Sequence, residues 1–359
     1  ELQGQVIAVK AQRWIRSTPA GARSPWARLP LGIMGLFMAC VPVNDGRGHP
    51  SLLIITLEQA GGPDGLDASQ PALAGFIRSG TLFPHVWHPS DSPLSAATSL
   101  FTGLHPRHTG VLSATDSLPE NLPTLAERVY EQDVWTGAAV AQDLEFTSEG
   151  IERGFESFVR LPQEDSNQVA QAATAWLAER AKKDGGWMIW AHLGAQGEDK
   201  SSVDAALQSM ISQARELDTL GRTMIIVMDV MPEQTSSLHQ SWAAVSLPRS
   251  LEGTCPEDFA GADFCLLAVE HLAEAAWANE QRRPPGLDGV SPGLALFGLP
   301  ARRGPLLLQQ AHDKDSGAPL ALFEGWQQSG GESPRASWST ASTPPKRVQA
   351  VLSEMLEGQ

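Results

Sequence analysis

Pro-Ser-Leu-Leu-Ile-Ile-Thr-Leu-Glu, residues 50–58, is an apolar, partly β-branched run that ends on a carboxylate. A strand with one wet face alternates polar and apolar residues, whereas a run apolar throughout reads as a strand covered on both faces, as in parallel sheets. Runs of the same kind follow at Thr136-Gly-Ala-Ala-Val-Ala141, Trp187-Met-Ile-Trp-Ala-His192 and Thr223-Met-Ile-Ile-Val-Met228, with shorter ones at Thr81-Leu-Phe83 and Ala243–Leu247. Helical periodicity lies between them, at Asp67–Ser79 (Leu73, Phe76 and Ile77 on one face), Pro123–Gln132, Gln168–Lys183, Val203–Leu220 and Phe264–Trp277. Strands alternating with helices of this length predict an α/β fold with three layers, α/β/α, around a mainly parallel central sheet. Its crossovers should be right-handed, with helices on both faces.

The chain has 359 residues, 42% of them hydrophobic, enough for a full core and too many for a disordered protein. Twenty-six Lys and Arg against 41 Asp and Glu give a net charge of −15, which repels phosphate backbones and argues against a nucleic-acid partner. Cys40, Cys255 and Cys265 lack metal-type spacing, and the last two read as buried thiols or, in an exported protein, as a pair.

The first fifty residues read as an address. Leu2 to Asn44 contains no Asp or Glu but carries Lys10, Arg13, Arg16, Arg23 and Arg28, and an apolar run from Leu29 to Cys40 follows. That run is short for a membrane span, and the order basic then apolar is that of an export signal. Its ending, Leu36-Phe-Met-Ala-Cys40, resembles a bacterial lipobox, which makes Cys40 the expected lipid attachment site. The expected partner is then a membrane, reached through an N-terminal lipid anchor, and the expected place is the periplasm or cell exterior. Beyond Gln281 the chain is rich in loops. Ser329–Pro345 is dominated by Ser, Gly and Pro, and Lys346–Leu356 is a candidate terminal helix.

In parallel α/β sheets ligands bind beyond the carboxyl ends of the strands, here Glu58, His192 and Met228-Asp229. Around those ends the sequence resembles the sulfatase family of the alkaline phosphatase superfamily. Residues 50–58 resemble its opening P-N-V-L-L-I-T-L-D. Ser99-Leu-Phe-Thr-Gly-Leu-His-Pro-Arg-His-Thr-Gly-Val111 resembles S-L-L-T-G-x-x-P-x-x-H-G-V, and Gly150-Ile-Glu-Arg-Gly-Phe-Glu-Ser-Phe158 resembles R-G-F-D-x-F. The likeness runs in order over roughly residues 50–250 and implies the three-layer fold. It divides the chain into an export signal (1–40), a tether (41–49), a sulfatase-like domain (50–328) and a tail with a short terminal helix (329–359).

The same resemblance implies hydrolysis of sulfate or phosphate esters by a metal-bound nucleophile, and at those positions this sequence departs from the pattern. Counting back from Gly103, Pro93 stands at the nucleophile position and Ala97 replaces the basic residue four places on. The Asp-His metal pair falls on Asp229-Val230-Met231-Pro232, where Asp229 is one residue out of register, and of the His pair after the middle strand only the first, His192, survives. Glu58 is the one expected metal ligand left on the first strand. A carboxylate at a strand end is otherwise often a helix cap, and a His ending a buried strand is often a packing residue. Ser92 and Ser95, with Ser90, are the hydroxyls near the lost nucleophile; otherwise they are loop serines. His105 and His108 belong to the turn after Gly103.

The expectation is a sulfatase-like exported protein without hydrolytic activity and without a cofactor. Its role would be binding or scaffolding at a membrane surface, with a glycan, an ester or a protein as ligand. The alternative is an active metal-dependent ester hydrolase with a displaced site, using Ser92 or Ser95 with His192 and a divalent ion such as Ca or Zn. It requires one of those hydroxyls within hydrogen-bond reach of Glu58 or His192.

Overall fold

All eight residues of β1 (Ser51–Glu58) are buried. Burying its Leu52, Leu53, Ile54, Ile55 and Leu57 at about 1.5–3 kcal/mol each gives roughly 10 kcal/mol, as much as the net stability of a domain. Such a strand belongs at the middle of a sheet, and β1 lies between two parallel neighbours, β5 (Trp187–Leu193) and β6 (Thr223–Met231). The computed structural model describes residues 50–297, except 59, 62, 64–68, 89–91, 114, 131–133, 142–149, 162–164, 184, 195–197, 219–220, 232–239, 249, 257–258 and 273–290. It also describes 306–308 and 321–323, which pair as a two-stranded antiparallel ladder.

The remaining strands are β2 (Thr81–Trp87), β3 (Trp135–Ala141), β4 (Ser157–Leu161), β7 (Gln240–Ser246), β8 (Gly253–Thr254) and β9 (Phe259–Ala260). The sheet order is β4-β3-β5-β1-β6-β7-β2-β8, with β9 also on β2. Every pairing is parallel except those of β7 with β6 and β2, so the sheet is mainly parallel, as expected.

Helices α1 (Pro71–Arg78), α2 (Pro93–Thr102), α3 (Pro106–Thr109), α4 (Leu125–Tyr130), α5 (Ser166–Arg180), α6 (Lys200–Leu217) and α7 (Gly261–Leu272) complete the fold. α2, α4 and α7 pack on the face carrying Leu52, Ile54, Trp190 and Met228. α1, α5 and α6 pack on the face carrying Leu53, Ile55, Ile189 and Val227. These are the three expected layers. Among the described residues no helix is long and apolar enough to cross a membrane.

Several local expectations need correction. Pro93–Thr102 is the helix α2, so Ser95 lies in a helix and Ser92 caps one, and neither is a plain loop serine. Ser92 is the N-cap, Pro93 the first helical residue and Gly103 the left-handed stop at φ 70°. The motif at 150–158 turns over residues 151–154 and then runs into the edge strand β4 (Ser157–Leu161), which was not expected. β2 continues to Trp87, well beyond Phe83. α6 begins at Lys200, ahead of the expected Val203, and its early residue Asp204 caps another helix. α1 has no side-chain cap of its own, and the Asp204 carboxylate accepts from the amides of Ala72 (2.9 Å) and Leu73 (2.8 Å). Cys255 and Cys265 are both buried thiols, the first of the two readings, and no disulfide joins them to each other. Residues 1–49, with the expected export signal, tether and lipid site Cys40, and the tail 329–359 lie outside the described residues.

Candidate functional site

The carboxyl ends of β1 and β5 meet in register, with Thr56 beside His192 and Leu57 beside Leu193. Alternate residues of a strand share a face, so Thr56 and Glu58 point to the same side as Trp190 and His192. Four side chains there form one continuous chain. The Trp190 indole donates to the Thr56 hydroxyl (2.9 Å), which lies 2.8 Å from His192 Nδ1, and His192 Nε2 lies 3.0 Å from Glu58 Oε1. The neutral imidazole with its proton on Nε2 satisfies every link: it donates to the carboxylate and accepts the hydroxyl proton, while the Thr56 oxygen accepts from the indole. The side chains of His192 and Glu58 are 2% and 1% exposed, and Thr56 is wholly buried.

Carboxylate, imidazole and hydroxyl in sequence are the connectivity of a hydrolytic triad, in which the hydroxyl must reach a substrate. Here that hydroxyl is in the body of a strand, and aromatic rings fill the adjacent space. Phe101 of α2 lies 4.5 Å from the Trp190 ring, with Phe155 at 6.1 Å and Phe158 at 6.2 Å. The arrangement orders the strand ends and satisfies buried polar atoms.

The backbone supports the same packing. Gly194, just past β5, adopts φ 89°, and a Cβ there would stand 3.0 Å from the Glu58 carbonyl oxygen. The Gly194 amide donates to the Ser166 hydroxyl (3.1 Å), which in turn donates to Glu198 (2.6 Å), tying this end of the sheet to the start of α5.

The other expected candidates lie apart from this chain. Ser95 is wholly buried in α2 and its hydroxyl donates to the Val111 carbonyl (2.8 Å). Ser92 Oγ caps α2 through the Ser95 amide at 3.5 Å. Pro93 occupies the first turn of that helix. Asp229 pairs with Leu57, and the register slips by one residue before Glu58 meets Met231. Strand alternation puts the Asp229 side chain with Leu57, on the face opposite Glu58. Its carbonyl accepts from His88 Nε2 (2.7 Å) and Ser241 Oγ (2.6 Å). His105 is half-buried and His108 exposed. Among the described residues no group of three or more His, Cys, Asp or Glu converges as a metal site. Ser90 and the segments 195–197 and 232–239 lie outside the described residues.

Sequence reasoning missed Thr56, the centre of the chain, and its donor Trp190. The signal was present as two i, i+2 pairs, Thr56/Glu58 and Trp190/His192, each ending a buried strand. What was missing was the register that sets them side by side.

No protein-family profile and no curated protein matches the sequence. Solved structures do match the fold. Ps i-CgsB, in a complex with k-i-k-neocarrahexaose, aligns with a TM-score of 0.63 at 12% identity over 86% of this chain and 92% of its own. A 2-O GAG sulfatase aligns with a TM-score of 0.58 at 12% identity over 73% and 78%. A protein in the alkaline phosphatase superfamily from Vibrio parahaemolyticus aligns with a TM-score of 0.51 at 15% identity over 63% and 67%. The chain therefore shares the fold of these solved proteins, a 2-O GAG sulfatase and a protein in the alkaline phosphatase superfamily among them.

Proposed function

We propose that this chain is a non-hydrolytic protein on a sulfatase-like fold, exported and held at a membrane surface by a lipid on Cys40, where it binds or scaffolds. The observation that carries this reading is the closed hydrogen-bond chain Trp190–Thr56–His192–Glu58. It uses the polar groups of two strand ends on one another, while proline opens the helix at the position where the resemblance calls for a nucleophile. Among the described residues the donors do not make up a set for a divalent ion. Calcium takes about six to eight oxygens and a zinc site about four ligands. Here Glu58 is bonded to His192, and Asp229 lies on the other face of the sheet. Ligands of this fold relative include an oligosaccharide in Ps i-CgsB, which makes a glycan the first ligand class to test.

The test uses purified full-length protein with aryl sulfate and aryl phosphate, with and without added Ca or Zn, alongside metal analysis. The expected result is turnover no faster than buffer and no bound metal. Metal-dependent turnover that disappears in Glu58→Ala would overturn the reading. Fractionation of cells expressing the protein tests the anchor: Cys40→Ser should move it from the membrane to the soluble fraction.

A further inference from the structure

A cavity of about 350 Å³ opens at the other end of the sheet, where β3 and β5 begin. β5 has seven residues, so at about 3.3 Å per residue this cavity lies roughly 20 Å from Glu58 and His192. Its lining joins three kinds of chemistry. Tyr130, an aromatic residue 55% exposed at the end of α4, and Trp135 provide ring surface. Arg180 and Lys183, at and just past the end of α5, provide positive charge, and the exposed Glu156 provides a carboxylate.

Arg180 is the ordered element. Its guanidinium lies 4.2 Å over the Trp135 ring, and Trp135 is held in turn against Trp176. Stacking uses the faces of the guanidinium and leaves its N–H edge to bind an oxyanion in its own plane. Arg180 Nε is buried with no hydrogen-bond partner, so one donor of that edge is unused. The nearest carboxylate, Glu179, is 3.5 Å from the Arg180 terminal nitrogen and takes a closer contact from Lys183 at 2.5 Å. Nε itself is closed off from solvent, whereas the side chain as a whole is 19% exposed, so the terminal N–H groups are the donors that a ligand oxyanion can reach.

We propose that this cavity binds a small hydroxylated organic anion of monosaccharide size, its oxyanion on Arg180, its ring against Tyr130 and Trp135, and a hydroxyl donated to Glu156. The volume lies at the lower end of the range for small-molecule sites and leaves room for one sugar ring rather than a chain. The charge pattern selects an anion that also carries hydroxyls, because a bare anion would gain from Arg180 but be repelled by Glu156. This inference is independent of the proposal for the strand ends and stands whether or not the chain hydrolyses esters.

Calorimetric titration of the full-length protein with glucuronate, glucose 6-sulfate, glucose and inorganic sulfate tests it. At least one of glucuronate and glucose 6-sulfate should bind saturably, and the stronger of the two identifies the oxyanion as carboxylate or sulfate. Glucose and inorganic sulfate should each bind about tenfold or more weaker, the loss expected for removing a charged hydrogen bond or the hydroxylated ring. Arg180→Met keeps the stem on Trp135 and should lose at least that factor. Glu156→Ala, at an exposed position whose loss leaves the core untouched, should weaken the sugar anion several-fold. Absence of saturable binding by either sugar anion would overturn the proposal, as would equal binding of glucose or tighter binding in Glu156→Ala.

Discussion

Replacing Thr56 with Val tests whether the strand-end chain is structural. Valine matches threonine in shape, so the change opens no cavity and leaves β1 as favourable a strand as before. It removes the one oxygen that both receives the Trp190 indole N–H (2.9 Å) and contacts His192 Nδ1 (2.8 Å). Both groups are then left buried without that partner, at about 1–3 kcal/mol each, for an expected total loss of about 2–6 kcal/mol. Urea unfolding followed by far-UV circular dichroism reads this as a lower midpoint at unchanged slope. The double variant Thr56→Val with Trp190→Phe should cost less than the two single changes added together, because deleting the indole N–H removes one of the orphans that Thr56→Val creates. A loss below about 0.5 kcal/mol, or strict additivity in the cycle, would refute the view that these side chains hold one another.

Gly194→Ala should cost about 1–3 kcal/mol, since the site needs φ 89° and the new methyl would meet the Glu58 backbone at 3.0 Å, and thermal unfolding reads it. Gly110→Ala, at φ 72° with open space around it, should cost only about 1 kcal/mol. Burial holds the His271 imidazole below its ordinary value of 6.5 while its Nε2–H donates to the Ser51 carbonyl (2.9 Å). The unfolded chain therefore takes up a proton that the folded one resists, and stability should fall as pH drops below about 6.5. His271→Gln should reduce that slope in urea midpoints measured from neutral to mildly acid pH. Burial pushes the Cys265 thiol up to about 12, so iodoacetamide at neutral pH should label it only after denaturation, as peptide mass mapping would show.

The layered fold was legible because β1, β3, β5 and β6 are apolar through most of their length, and such runs survive any detail of register. The antiparallel insertion of β7 was not, since Gln240–Ser246 carries no mark of direction. α2 has a readable start and stop in Ser92-Pro93 and Gly103, a capping signal that the reading of Ser92 and Ser95 as loop serines passed over. Glu58 and His192 could be named from the sequence because each closes a buried strand. Their pairing depends on Thr56 standing level with His192 across 136 residues of chain, which local pattern does not encode. The cavity beneath β3 and β5 was equally hidden, because Arg180 and Trp135 meet only after α5 has folded back onto the sheet.

The central seat of β1 has a consequence for biosynthesis. Its two flanking strands are made much later, and the farther one starts only at Thr223, about 165 residues after Glu58 leaves the ribosome. At roughly 5–20 residues per second, the most water-averse segment of the nascent chain waits about 10–30 seconds for its second neighbour. During that interval a holdase must shield Leu52–Leu57, or the segment will seek edges on other polypeptides.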